Sequence, residues 1–115
     1  MDGQFIKFTN NNTYKNMEIR RDVMDVLTAF SHYTYQCSNE QLMVTDLQGW
    51  MPVTGDGLVI LTDPAINCSS YPSSFNATNM GDVGLAGFWQ EQHATCNDIC
   101  HQLRLVRPDR YCKEI

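Results

Sequence analysis

The spacing of apolar residues changes repeatedly along this chain, and each change marks an expected element. Residues 4–8, Gln-Phe-Ile-Lys-Phe, alternate and predict a short strand. The Asn-rich residues 9–12 break that pattern and predict a solvated connection. Over residues 17–30, Ile19, Val23, Val26, Leu27 and Phe30 recur at helical spacing and predict an amphipathic helix with Asn16 as N-cap. Glu18, Arg20, Arg21, Asp22 and Asp25 lie off that stripe, as a solvated face would. Residues 31–37 are aromatic and β-branched and predict a strand, residues 38–40 a turn, and residues 42–47 a second strand, together a β-hairpin. Residues 58–61 form a short apolar strand ended by Thr62-Asp63-Pro64. Residues 65–79 have little periodicity and read as a long surface loop. A Gly-containing loop at 79–84 then opens a helix through Leu85, Phe88 and Trp89 toward His93, with Asp82 as N-cap. Asn97 caps a last helix with Ile99, Leu103 and Leu105 inward, and residues 107–115 form a polar tail.

Two places on this scaffold carry chemistry. The run Gln41 to Trp50 ends in Asp46, with the Gln48 carboxamide two residues on and so on the same face of an extended chain. Asp63 follows after a loop, its backbone restricted to extended or turn geometry by Pro64. Acids at the ends of buried strands are costly without a compensating role. The second place is His93, Cys96 and Cys100, whose three-then-four spacing suits one helical face or a tight turn. Zinc takes four N or S ligands, so a fourth would come from His101, Cys37, Cys68, Cys112 or His32. Buried free thiols beside a helix-terminal His fit the same spacing. The two Gly after Asn79 could expose N–H groups to an anion, as many helix starts do.

Composition narrows the classes. At 115 residues and 43% hydrophobic, the chain is one globular domain or one lobe of a larger one. A net charge of −5 excludes an ordinary nucleic-acid binder. No apolar run is long enough to span a bilayer, and residues 1–7 show no signal-peptide pattern. The five Cys therefore read as thiols or metal ligands in a cytoplasmic protein rather than as disulfides.

The order of motifs resembles a known family. Phe30-Ser31-His32-Tyr33-Thr34-Tyr35, Val44-Thr45-Asp46-Leu47-Gln48-Gly49, Leu61-Thr62-Asp63-Pro64, Asn79-Met80-Gly81 with Gly84, and His93 with Cys96-Asn97-Asp98-Ile99-Cys100 resemble the C-terminal half of the alpha-kinases. These atypical protein kinases include the elongation-factor-2 and myosin-heavy-chain kinases. The resemblance covers nearly the whole chain, and residues 3–12 look like the segment just after the family's hinge. It implies an α+β fold, with residues 1–106 forming the C-terminal lobe of an alpha-kinase-like domain: a small antiparallel sheet, packed helices and a structural zinc site. It implies transfer of the ATP γ-phosphoryl group to a serine or threonine hydroxyl of a protein substrate. Asp46 would be the catalytic aspartate, Gln48 and Asp63 the Mg²⁺ ligands at the nucleotide phosphates, and Asn79, Gly81 and Gly84 the Gly-rich substrate loop. His32, His93, Cys96 and Cys100 would hold the zinc.

The chain departs from the family in two places. The family has His-x-Cys-Asn, but here Ala94 occupies the ligand position; an extra residue bulged from the helix end would restore His93, with His101 as the fallback. Trp50 replaces a smaller apolar residue and is expected to add packing beside the Asp46 strand. The family's phosphate-pairing Lys and hinge precede the matched segment, and Lys7 and Lys15 lie in the wrong segment to replace that Lys. A separate or missing N-terminal lobe is thus an expected partner, with neither nucleic acid nor membrane. The alternative is a catalytically silent, zinc-stabilised interaction module derived from a kinase lobe.

Overall fold

A computed structural model describes residues 3–52, 59–68 and 80–111. In chain order it contains β1 (Gly3–Lys7), α1 (Arg21–Cys37), β2 (Met43–Thr45), β3 (Gln48–Pro52), β4 (Ile60–Leu61), β5 (Ala65–Asn67), α2 (Gly81–Gly87) and α3 (Asp98–Gln102). A π-helical turn, Phe88–Gln92, continues α2, and a short 3-10 turn, Asp109–Tyr111, follows α3. The α+β expectation agrees with this architecture. Antiparallel pairing builds a three-stranded sheet in the order β1-β3-β4 and a two-stranded sheet from β2 and β5.

The main departure from expectation is α1. It starts later than predicted and runs through residues 31–37, so there is no hairpin between that stretch and β2. Aromatic and β-branched content is a weak preference that burial overrides. The buried stripe is Met24, Leu27, Thr28, Ser31, His32 and Tyr35, displaced from the purely apolar stripe, and Val26 (51% exposed) and Phe30 (39%) face outward. Polar members of that stripe can be buried because they are satisfied: the Thr28 hydroxyl donates to the Met24 carbonyl at 3.1 Å. Asn16 does not cap the helix; it accepts from the Glu18 N–H at 2.9 Å, and Arg20 flanks the first turn instead. The helix ends where Asn39 (φ 56) and Glu40 (φ 63) turn left-handed.

The predicted single strand also divides. Asp46 adopts φ 57, a conformation Asp tolerates, and the chain leaves one sheet for the other at this residue. The Phe8 and Thr9 N–H groups both donate to the Leu47 carbonyl, at 2.9 and 3.1 Å, and the Thr9 hydroxyl accepts from the Leu47 N–H at 3.0 Å. Asp46 is therefore flanked by a pinned residue.

Residues 9–12 are a structural hub rather than a solvated connection. The Gln92 amide donates to the carbonyls of Asn10 and Asn12, at 3.0 and 2.9 Å, and the buried Asn67 amide donates to the Asn11 carbonyl at 2.9 Å. Gly84 packs into this hub so closely that a Cβ would lie 2.3 Å from Asn67 Nδ2 and 2.5 Å from the Asn11 carbonyl oxygen. Helix α2 has no side-chain cap, so Asp82 does not perform that role. Asn97 does cap α3, accepting from Ile99 and Cys100 N–H at 3.0 and 3.2 Å, but Leu103 is exposed rather than inward. Residues 65–67 of the expected surface loop are β5, and 69–79 lie outside the described residues. The start of the expected polar tail packs inward: Tyr111 stacks on the buried Trp89 with ring centroids 5.5 Å apart. Among the described residues no helix is long and apolar enough to cross a membrane.

Candidate functional site

The outer face of the three-stranded sheet carries the first group. Register sets Lys7 against Gln48, and Phe5 against Trp50, which in turn faces Ile60. Strand alternation sends Ile6, Met51 and Leu61 into the core and leaves Phe5, Trp50 and Ile60 as an exposed row, at 49, 40 and 42%. Trp50 therefore does not fill the core beside Asp46; its ring meets Phe5 edge-on at 5.8 Å. The same face becomes polar two residues along. Lys7 Nζ donates to Asp46 Oδ1 at 2.5 Å, and Asp46 is the better shielded of the two. The Gln48 carbonyl accepts from the Thr62 N–H at 2.9 Å, which brings Asp63 to the same end of the sheet. Asp63 is exposed and takes φ 47, a turn rather than an extended geometry.

Asp46 and Gln48 thus converge through a left-handed break and a change of sheet, not along one extended strand. Lys7 is the residue that sequence reasoning missed. Lying in the wrong segment to replace the nucleotide-pairing Lys, it is instead the partner of Asp46, and no local pattern connects positions so far apart. The oxygens of Asp46, Gln48 and Asp63 are hard donors of the kind that suits Mg²⁺ with phosphate. Of the Gly-rich loop, Asn79 lies outside the described residues; Gly81 is buried at φ 56 and Gly84 is buried in the asparagine hub.

The second group is compact. His32 of α1, His93 at the end of the π-helical turn, Cys96 in the following connection and Cys100 of α3 offer ligand atoms all within 4.8 Å of one another, so these four could hold a metal ion. Cys100 Sγ lies 3.4 Å from His93 Nε2, and Cys96 Sγ lies 3.8 Å from His32 Nδ1. Those are edge lengths of a tetrahedron around an ion bonded at about 2.0–2.3 Å. His93 closes the π turn, its N–H donating to the Phe88 carbonyl, five residues back, at 2.8 Å, and Ala94 and Thr95 lead on to Cys96. His101 is exposed on α3 and outside the group, as are Cys37 and Cys68; Cys112 lies outside the described residues.

Burial sets the protonation of these groups. Burial holds His93 down to about 3, assisted by charge on His32, Arg107 and Lys15, and burial lowers His32 as well. Both imidazoles are therefore neutral, the form that binds metals. The Val106 carbonyl, 3.0 Å from His32 Nε2, takes that proton and leaves Nδ1 facing the thiols. Burial and the adjacent Cys100 push the Cys96 thiol up, so the thiolate needs a nearby cation.

Comparison with known proteins places this geometry. The sequence profile of the alpha-kinase family matches residues 1–100. Alpha-protein kinase 1 of Mus musculus is 41% identical over 106 residues, covering 92% of this chain and 8% of that protein. Alpha-protein kinase vwkA of Dictyostelium discoideum is 34% identical over 109 residues, covering 94% and 16%. Among solved structures, an alpha kinase from Entamoeba histolytica superposes with a TM-score of 0.79 at 31% identity, covering 95% of this chain and 38% of that one. The alpha-kinase domain of myosin heavy chain kinase A in complex with ADP gives 0.72 at 30%, covering 91% and 38%. The chain spans well under half of each of these relatives. Matched over most of its length and alike in fold to solved members, it belongs to the alpha-kinase family.

Proposed function

We propose that this chain is the Mg²⁺-binding and catalytic lobe of an alpha-type serine/threonine protein kinase. The observation that carries the reading is the Lys7–Asp46 ion pair at the end of the sheet where Lys7 pairs with Gln48, whose carbonyl takes the N–H of Thr62, the neighbour of Asp63. In this reading Asp46 receives the proton of the substrate hydroxyl as its oxygen attacks the γ-phosphorus and ADP departs. Lys7 orients that carboxylate and adds positive charge where the phosphates lie. Gln48 and Asp63 present their oxygens to Mg²⁺, which when bound neutralises the phosphate charge. Phosphoryl transfer needs mainly such positioning. The Phe5–Trp50–Ile60 row continues the same face and offers an apolar floor for the base. The nucleotide-pairing Lys and the hinge would come from an N-terminal lobe, preceding or separate.

His32, His93, Cys96 and Cys100 hold a structural Zn²⁺ in this reading, and the donor set fits it: two neutral imidazoles and two thiols in tetrahedral spacing. A second reading, a silent interaction module, is favoured by the exposed apolar row, which a partner could cover as well as a nucleotide. Isothermal titration of the chain with Mg·ATP separates the two. Heat that disappears on Asp46→Ala and Asp63→Ala supports the kinase lobe; no heat at millimolar nucleotide leaves the interaction module.

A further inference from the structure

The segment after Cys100 is bound more tightly than its composition suggests, and several of its bonds reach the His/Cys cluster or the turn beside it. Arg107 Nη1 donates to the His93 carbonyl and Nη2 to the Trp89 carbonyl, both at 2.6 Å, while Nε donates to the Tyr111 carbonyl at 2.7 Å. Its guanidinium also stands over the Trp89 ring, 5.1 Å from the centroid. One planar side chain thereby fixes both ends of the π turn that delivers His93. Immediately before it, the Val106 carbonyl sets the His32 tautomer. Gln36 of α1 holds the segment in place, accepting from the Val106 N–H at 2.6 Å and donating to the Arg104 carbonyl at 3.3 Å.

The location matters as much as the bonds. His32, His93 and Cys100 are buried, whereas Cys96 is half-buried. Cys96 borders two clefts, one of about 630 Å³ that also touches Lys15 and Asp25, the other touching His101 and Leu105. Cys96 is thus the ligand candidate at the cluster's solvent edge, and Arg107 lines the second of those clefts. Val106 and Arg107 lie past position 100, where the match to the family profile ends.

We propose that Arg107, with the Val106 carbonyl before it, is the positioning element of the metal centre: it clamps the His93 turn, fixes the His32 tautomer and slows metal loss at the Cys96 edge. The proposal rests on the zinc reading above and adds to it. The clamp acts through two carbonyls at once, so a point charge does not replace it.

The test is zinc release from the full chain into a chromophoric chelator. Removing such supporting partners weakens metal sites roughly 10–100-fold, and the expected outcome is that Arg107→Met releases zinc on the order of tenfold faster. Arg107→Lys should stay close to Arg107→Met. The control is Arg110→Met, which removes a 2.7 Å bond to the Tyr35 hydroxyl in the same segment and should leave the release rate unchanged. Equal release from Arg107→Met and wild type, or equal acceleration by Arg110→Met, overturns the clamp alone. A folded wild type that takes up no zinc overturns the metal reading as well. Where Arg107→Met does not fold, imidazole ¹⁵N shifts of the zinc-loaded wild type decide: His32 metallated at Nδ1 with a protonated Nε2 supports the proposal, and metallation at Nε2 overturns it.

Discussion

In the zinc reading, Cys100→Ala removes a ligand from the interior of the cluster and almost nothing else. The side chain is fully buried, 3.4 Å from His93 Nε2, with Ala29 and Leu105 as its apolar neighbours. Losing the sulfur from packing costs about 1 kcal/mol, on the scale of one buried methylene. Losing it as a ligand costs more. Structural zinc sites bind with apparent free energies of about 10–16 kcal/mol, so one ligand of four is worth roughly 3 kcal/mol. At about 1.4 kcal/mol per decade that weakens zinc by roughly two powers of ten. Because the metal binds the folded chain, the same loss should lower Tm by on the order of 10 °C in zinc-saturated buffer. Competition against a chelator of known affinity measures the first quantity, and melting with and without zinc the second. Cys37→Ala, at an exposed thiol outside the cluster, should change neither. If Cys100→Ala binds zinc within threefold of wild type, Cys100 is not a ligand and the site is not the one described.

Three further outcomes are expected. Gly84→Ala would force a methyl into Asn67 and the Asn11 backbone, and should cost about 1–3 kcal/mol by chemical denaturation; an unchanged midpoint would mean that the asparagine hub gives way freely. Lys7→Met should leave stability within about 1 kcal/mol, because the ion pair with Asp46 is partly exposed. In a kinase completed with an N-terminal lobe, the same substitution should lower kcat with little change in KM for ATP, and full activity would remove Lys7 from the site. Asp46→Ala in that complete kinase should abolish transfer while stability is retained, and normal turnover would reassign the proton acceptor.

Local pattern served best where partners are close in sequence. Asn97 as the cap of α3, Gln4 to Lys7 as a strand and Phe88 to Gln92 as helical were all legible, because each depends on spacing within a few residues. Residues 31–37 read as a strand because part of their buried side is polar: His32 faces inward where the Val106 carbonyl gives its ring a partner. The break at Asp46 was invisible for a similar reason. Nothing in the apolar run from Met43 to Met51 signals a change of sheet; the cause is Phe8 and Thr9 gripping Leu47 from far away in the chain. The resemblance names His93 rather than His101, and His93 does lie in the cluster; its position at the close of a π turn cannot be seen in spacing alone. Arg107 carried no signal. A single Arg in a polar stretch looks solvated until its three carbonyl partners are known.

The metal centre and Asp46 are linked through one helix, and this gives the zinc reading a consequence for catalysis. His32 sits on α1 two residues before Thr34, whose hydroxyl donates to the Ser31 carbonyl at 2.7 Å and accepts from the Val44 N–H at 3.0 Å. Val44 is the centre of β2, which pairs with β5 and leads straight to Asp46. If the metal leaves, His32, Cys96 and Cys100 lose their common partner and the second half of α1 loses its anchor to α3. Thr34 then no longer fixes Val44, and the register of the strand entering Asp46 depends on three residue pairs alone. A catalytic group misplaced by about 1 Å can lose on the order of 10²-fold in rate, so a remote structural ion can govern turnover without touching substrate. Hydrogen exchange tests the route. On zinc removal, amide protection at Val44 should fall together with that of residues 32–37, while β1 and β3 keep theirs. Protection at Val44 that survives as α1 frays would break the link at Thr34 and leave the metal centre a stabiliser of the lobe only.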